Sequence, residues 1–209
     1  MRQAAKFHKE AAELYEAELN PEKAVIHYQQ AGDYYKGEDQ TSSANQCFLK
    51  VGVLSAELEE YEKAVDIFEA VAASSLDVAL LTWSVKDYFF QAGLCRLAIG
   101  DMLAAKRAID RYRDQDVAFA DTRECKLLEA LCEAYDDQDV EKFTDAVLPA
   151  LSPVFSLWPR AMCWMLMRPW AAAGVRVRSD LQAGQVEDVG SAAGRARGPT
   201  PSAALSTPR

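Results

Sequence analysis

His8 and His27 are the only imidazoles among 209 residues, and neither stands in the Ser, Cys or carboxylate pattern that makes a histidine a general base. No glycine-rich phosphate loop, HExxH pair or nucleophile elbow occurs. His27, beside Tyr28 in a helical pattern, is expected to pack or cap, and His8 to be exposed. Cys47, Cys95, Cys125, Cys132 and Cys163 form no CxxC pair, and their odd number closes no disulfide framework. A buried thiol behaves as a small apolar group, so the expectation is reduced core cysteines in a cytosolic protein, without metal or cofactor. What remains is charge. Glu133, Asp136, Asp137 and Asp139 gather where one helical pattern ends and the next begins, facing either a basic partner or solvent. Asp136 and Asp137 are neighbours in sequence, so they do not oppose each other across a substrate, and an enzyme is disfavoured. Lys6, Lys50 and Lys86 recur at spacings of 44 and 36 residues, which a repeat of about forty residues brings to one face.

Such a repeat is present. A basic residue, an alanine and an aliphatic open three amphipathic segments: Lys23-Ala24-Val25, Lys63-Ala64-Val65 and Arg107-Ala108-Ile109. The first two match further, Pro21 to Tyr28 against Tyr61 to Phe68, with an aromatic closing each. A small alanine where helices approach, followed by an aromatic that fills the next groove, predicts an all-α, tetratricopeptide-like right-handed superhelix of helical hairpins. The function expected of such an array is holding a partner.

Eight helices and no strand are predicted. The first spans Arg2 to about Glu18. Asn20-Pro21 opens the second, which ends at Lys36-Gly37 with Gly37 as a left-handed cap. Thr41, Ser42 or Ser43 caps the third, and Glu59 to Ala73 forms its partner until Ser74-Ser75 breaks the pattern. A long aromatic helix covers Leu76 to Leu97, and another runs from Met102 to Arg113. After a loop at Gln115 to Ala120, Asp121-Thr122-Arg123-Glu124 caps a helix reaching Tyr135, and Asp139 starts the last, to Val147.

At Leu148 the composition changes. Residues 1–147 hold 16 Lys and Arg against 29 Asp and Glu, whereas residues 148–209 hold 7 against 3, so two regions are expected. The acidic first region argues against nonspecific nucleic-acid binding, which needs clustered cations, and leaves room for a local basic face. The second carries seven of the eight prolines, too closely spaced for an uninterrupted helix. Its apolar stretch 154–170 contains two prolines and two arginines, which argues against a membrane span, and beyond Gly174 the sequence reads as a disordered linker. The charged first twenty residues carry no secretory signal.

Tyr34-Tyr35-Lys36-Gly37-Glu38, Ser42-Ser43-Ala44-Asn45, Lys86-Asp87-Tyr88-Phe89-Phe90 and Thr122-Arg123-Glu124-Cys125-Lys126-Leu127 resemble the alpha/beta soluble NSF-attachment proteins (SNAPs). The resemblance runs from about Ala4 to Val147, the middle and later part of that family's domain. It implies a cytoplasmic adaptor, peripheral on membranes through its partners. Such an adaptor binds the syntaxin-type SNARE complex, a four-helix bundle, and recruits a hexameric NSF-type AAA ATPase for its disassembly, hydrolysing nothing itself. By resemblance the SNARE-binding residues are Lys6 and Lys86, with Lys50 nearby; Gln46 stands at a further family lysine, which implies weaker binding. The ATPase-binding residues implied are Asp101, Glu133, Asp136 and Asp137. The family's early helices have no counterpart, and Thr207-Pro208-Arg209 stands where the family ends in a leucine near an acidic terminus. An impaired, truncated adaptor is therefore expected, and the break after Val147 reads as a shifted or alternative reading frame. The rival expectation is a generic tetratricopeptide-like scaffold holding another peptide in a cationic groove.

Overall fold

A computed structural model describes residues 2–78 and 81–150, with backbone only for 148–150. Eight α-helices follow one another: α1 (Arg2–Ala17), α2 (Pro21–Lys36), α3 (Thr41–Glu57), α4 (Tyr61–Leu76), α5 (Thr82–Ile99), α6 (Met102–Gln115), α7 (Arg123–Asp137) and α8 (Val140–Ala150). A 3₁₀ segment, Val117–Asp121, precedes α7, and no strand occurs among the described residues. Consecutive helices pack as antiparallel hairpins, so the fold is an all-α helical-hairpin superhelix. The expectations for residues 151–209 lie outside the described residues.

The hairpin turns share one backbone device. Leu19, Asp39 and Glu59 have φ of 56°, 57° and 66°, at twenty-residue intervals. In each case the next amide reaches back five residues, Asn20 to Tyr15 at 2.9 Å, Gln40 to Tyr35 at 3.0 Å and Glu60 to Ser55 at 2.9 Å. These are Schellman closures that satisfy the last carbonyls of the preceding helix. Gln138 (φ 52°) repeats the motif between α7 and α8, and Gly100 (φ 90°) supplies the left-handed residue between α5 and α6. Gly37, expected to be the left-handed cap, has φ −67° and ψ −11°; the reversal falls on Asp39. Asn20 caps α2 as expected, with its side chain accepting from the Lys23 amide and Pro21 in the first turn. No side chain caps α3, whose N-cap is Gln40 rather than one of the hydroxyl residues.

Burial repeats as strictly as the turns. Residues 21–35 and 61–75 show the same order of buried, half-buried and exposed positions. A Cβ on Gly32 would lie 2.7 Å from the Phe48 ring, and one on Gly52 2.7 Å from the Phe68 ring. A glycine notch thus receives an aromatic sixteen residues later, twice, twenty residues apart. Tyr28 and Ala12 share the equivalent place one step earlier, inside the core cluster under α1 and α2.

The register advances by one residue at α5. Gly93 corresponds to Gly52, Gly100 to Glu59 and the cap Asp101 to Glu60, a step of 41. Two expectations change as a result. Ala105, not Ala108, is the counterpart of Ala64, since both amides bond the N-cap carbonyl; Arg107-Ala108-Ile109 lies one turn further into its helix. Ser74 and Ser75 do not break α4, because Asn45 takes both hydroxyls, at 3.3 and 3.1 Å. Thr122 caps α7 and the Asp139 carboxylate accepts from two amides at the start of α8, as predicted.

Candidate partner-binding surfaces

Helices α1, α3 and α5 each contribute to one open cleft of about 410 Å³. Lys9 and Glu13 come from α1, Gln46, Leu49, Lys50 and Val53 from α3, and Tyr88 and Gln91 from α5. Helices α1, α3 and α5 therefore share a wall, as neighbouring hairpins of a repeat do. Lys50 lies on that wall, and its Nζ sits 2.7 Å from Glu16 Oε1 on α1. The Tyr28 hydroxyl donates to the other Glu16 oxygen at 2.8 Å. Burial alone raises the Glu16 carboxyl, but these hydrogen bonds and the Lys50 charge outweigh it and hold the group below its ordinary value.

Lys6 and Lys86 do not occupy one row. By the 40-residue step Lys6 corresponds to the exposed Gln46, and by the 41-residue step Gln46 corresponds to Asp87. Lys86 corresponds instead to Asn45, about 100° around its helix from the Asp87 position. From there its Nζ reaches Glu124 Oε1 of α7 at 3.1 Å and lies 5.0 Å from the Trp83 ring centroid. Its side chain is 28% exposed and that of Glu124 13%. Lys6 is exposed and pairs with no described residue. The row through Lys6, Gln46 and Asp87 thus grades from cation to neutral to carboxylate. Burial raises the Asp87 carboxyl, with Lys86 opposing and Glu124 adding to the shift.

The acidic candidates converge at the opposite ends of α6 and α7. Asp101 caps α6, its Oδ1 accepting from the Ala104 amide at 2.9 Å. Five residues on, Lys106 pairs with Asp136 at the close of α7. Asp137 pairs with Lys142 of α8 at 2.5 Å, which lowers the Asp137 carboxyl. Glu133 is exposed on the last turns of α7. All four carboxylates face solvent at one end, but two of them carry a lysine counterion. Those lysines were not among the residues picked out in sequence. Lys142, five residues after Asp137 across a turn, is visible to a local reading; Lys106, thirty residues from Asp136, is not.

Cys47, Cys95, Cys125 and Cys132 are unpaired thiols in the core, as expected. Burial pushes Cys95 up to about 12 and Cys132 to about 11, so neither is a thiolate nucleophile near neutrality. Among the described residues no helix is long and apolar enough to cross a membrane. His8 departs from its expected exposure, being half-buried against His27.

Residues 1–149 match the family described as soluble NSF attachment protein, SNAP. The chain belongs to the soluble NSF attachment protein family. It is 53% identical over 145 residues to the alpha-soluble NSF attachment protein of Mus musculus, covering 69% of this chain and 49% of that protein. To the beta-soluble protein of Bos taurus it is 52% identical, over 69% of this chain and 48% of the relative. The vesicular-fusion protein SEC17 of Coprinopsis cinerea is 42% identical over 148 residues, 70% of this chain and 51% of the relative. The chain spans about half the length of the curated relatives it matches. The SNAP match extends through all four stretches that carry the resemblance and into α8, so α1 to α7 are SNAP helices throughout.

Proposed function

We propose that this chain is a SNARE-binding adaptor that engages the four-helix bundle of a syntaxin-type complex along the odd-helix wall. Through Asp101, Glu133, Asp136 and Asp137 it recruits a hexameric NSF-type ATPase, and it carries out no catalysis of its own. It acts in the cytoplasm, peripheral on membranes through these partners. The observation that supports this most is the family match along residues 1–149, since relatives at about half identity are named for attachment to NSF and for vesicular fusion. The wall shared by α1, α3 and α5 suits an elongated partner, and the solvent-facing carboxylates suit a basic one.

The three candidate lysines are not equivalent in this reading. Lys6 has an uncommitted charge, Lys50 shares Glu16, and Lys86 is committed to Glu124 and Trp83. Retention of the purified full chain on immobilised SNARE bundle is therefore expected to fall most for Lys6→Glu, less for Lys50→Glu and least for Lys86→Glu at matched folding. Equal retention by all three variants and the wild type overturns the assignment of this wall. A second reading, a scaffold for a short peptide, departs from the expected cationic groove: the separate cleft of about 770 Å³ on α2, α3 and α4 instead sets Asp33, Asp39, Asp66 and Asp77 against Lys36 and Lys63, so it suits a basic peptide. A basic peptide that binds equally well in the presence of excess SNARE bundle favours that reading.

A further inference from the structure

The two histidines, left without a role above, meet across the first hairpin. His8 of α1 and His27 of α2 place their Nδ1 atoms 3.1 Å apart. They are not free rotors. His8 stacks on Tyr34 with ring centroids 5.6 Å apart and planes 24° from parallel, and His27 stacks on Tyr15 at 5.4 Å and 8°. The imidazole centroids lie 5.4 Å apart with planes at 28°, which is about the Nδ1–Nδ1 distance plus the two ring radii, so the imidazoles meet edge to edge with each Nδ1 aimed at the other. Both histidines are half-buried, held by packing yet open to solvent on one side.

With a single proton between them, the two nitrogens make one hydrogen bond, one imidazole donating and the other accepting. The same pair of lone pairs suits a borderline metal. Two metal–nitrogen bonds of about 2.0–2.1 Å separate their nitrogens by about 3.3 Å at a tetrahedral angle and about 2.9 Å at a right angle. The observed 3.1 Å lies between these values, and because the two nitrogens face each other, chelation needs each ring to turn by about 40° so that both lone pairs converge on an ion beside the N–N axis. We propose that His8 and His27 form a two-imidazole site for a divalent transition-metal ion, Zn²⁺, Ni²⁺ or Cu²⁺, that clasps α1 to α2. No group of three or more His, Cys, Asp or Glu among the described residues is arranged around a metal, so water completes the coordination and the ion is exchangeable. The stacked tyrosines hold the two nitrogens at a chelating separation before the ion arrives, while the turn of each ring is an ordering cost of binding. Oxygen-preferring cations such as Mg²⁺ have no reason to choose this site.

The test uses the untagged full chain, so that no added polyhistidine competes. Calorimetric titration with Zn²⁺ or Ni²⁺ is expected to show one ion per chain, and a hundredfold excess over Kd to raise the thermal midpoint by about 5 °C, with Mg²⁺ without effect. His8→Gln and His27→Gln should each abolish both signals while keeping the helical circular dichroism. Should either variant fold poorly, the wild type still decides. Ni²⁺ is expected to broaden the ring C–H resonances of both histidines together, before any other side chain. Binding that survives in a folded Gln variant, broadening of one histidine alone, or no binding by the wild type overturns the proposal.

Discussion

Helices α1 to α4 and α5 to α8 solve the same packing problem with different forces. In the first half the repeat is held by shape: glycine notches at Gly32 and Gly52 admit Phe48 and Phe68, and the burial pattern returns unchanged after forty residues. Two ion pairs within it, Lys50–Glu16 and Lys63–Glu60, are exposed, and such pairs contribute little. In the second half the register has slipped by one, a 3₁₀ segment intervenes, and bridges span the helices. Lys86–Glu124 ties α5 to α7, Arg113–Glu129 and Lys106–Asp136 tie α6 to α7, and at the seam between the halves Glu69 of α4 receives Arg96, Arg111 and Tyr112. Where the repeat is regular, identical side chains interlock. Where it is not, a notch persists at Gly93, filled by Leu128, and long charged side chains add bridges between the helices.

The sharpest break in this contrast is Phe68→Ala. Phe68 is fully buried against Gly52, so its removal leaves a cavity at the α3–α4 contact and is expected to cost about 3–5 kcal/mol. Urea unfolding should show a lower midpoint at unchanged slope. A loss below about 1 kcal/mol would mean that the notch is not where this half derives its stability.

Glu69 carries the counterpart of that test. Its Oε1 accepts from Tyr112 at 2.5 Å and from Arg96 at 2.7 Å, with Arg111 at 2.6 Å. Burial raises this carboxyl, but hydrogen bonds from Tyr112 and Arg96 and the two guanidinium charges prevail and hold it below its ordinary value. A depressed folded value means that the group stabilises the protein above the unfolded carboxylate range, and that this contribution vanishes as the pH falls through the folded value. Glu69→Gln is therefore expected to destabilise by about 2 kcal/mol at neutral pH, a figure already discounted for partial exposure. The gap to wild type should narrow in acid. A gap independent of pH sinks the network as an electrostatic device.

How much of this was legible in sequence follows the same division. The regular half announced itself through Pro21 to Tyr28 and Tyr61 to Phe68, and Asn20 and Thr122 were legible at helix starts because their oxygens act on amides three residues away. The left-handed residues Leu19, Asp39 and Glu59 were invisible, since Schellman closure and not glycine enforces their conformation. Reading Ser74 and Ser75 as a break failed because Asn45, 29 and 30 residues away, satisfies their hydroxyls. Among the site residues, charge and exposure of Lys6, Glu133 and Asp136 were readable, but the commitment of Lys86 to Glu124 was not. That pairing depends on a one-residue slip which the recurrence of lysines obscures.

Glycine substitutions sharpen the picture within the regular half. Gly→Ala in a helix interior gains about 1 kcal/mol from propensity, while crowding a packed neighbour costs about 1–3. At Gly52 the neighbour is the fully buried Phe68, which has nowhere to go; at Gly32 it is the half-buried Phe48, which swings toward solvent. Gly52→Ala is thus expected to lose about 1 kcal/mol and Gly32→Ala to lie near zero, read from paired urea midpoints. A reversed order would show that ring mobility does not set the cost.

The smallest stability effect belongs to the lysines at the acidic end. Lys106 and Lys142 pair with Asp136 and Asp137 on the surface, where Coulomb attraction is offset by hydration and side-chain entropy. Lys106→Ala and Lys142→Ala are expected to leave the unfolding midpoint unchanged within error. Their effect should appear in association instead. Each removes a positive charge beside a carboxylate and exposes more negative potential to a basic partner, which raises the on-rate at low salt and loses that advantage at high salt. Surface-plasmon association rates with the proposed NSF-type ATPase, measured at two ionic strengths, separate the cases. An increase for both variants at low salt supports the acidic end as the docking surface. Rates indistinguishable from wild type would place docking elsewhere and leave these bridges as fasteners of α6, α7 and α8, the same part that charge plays in the rest of this half.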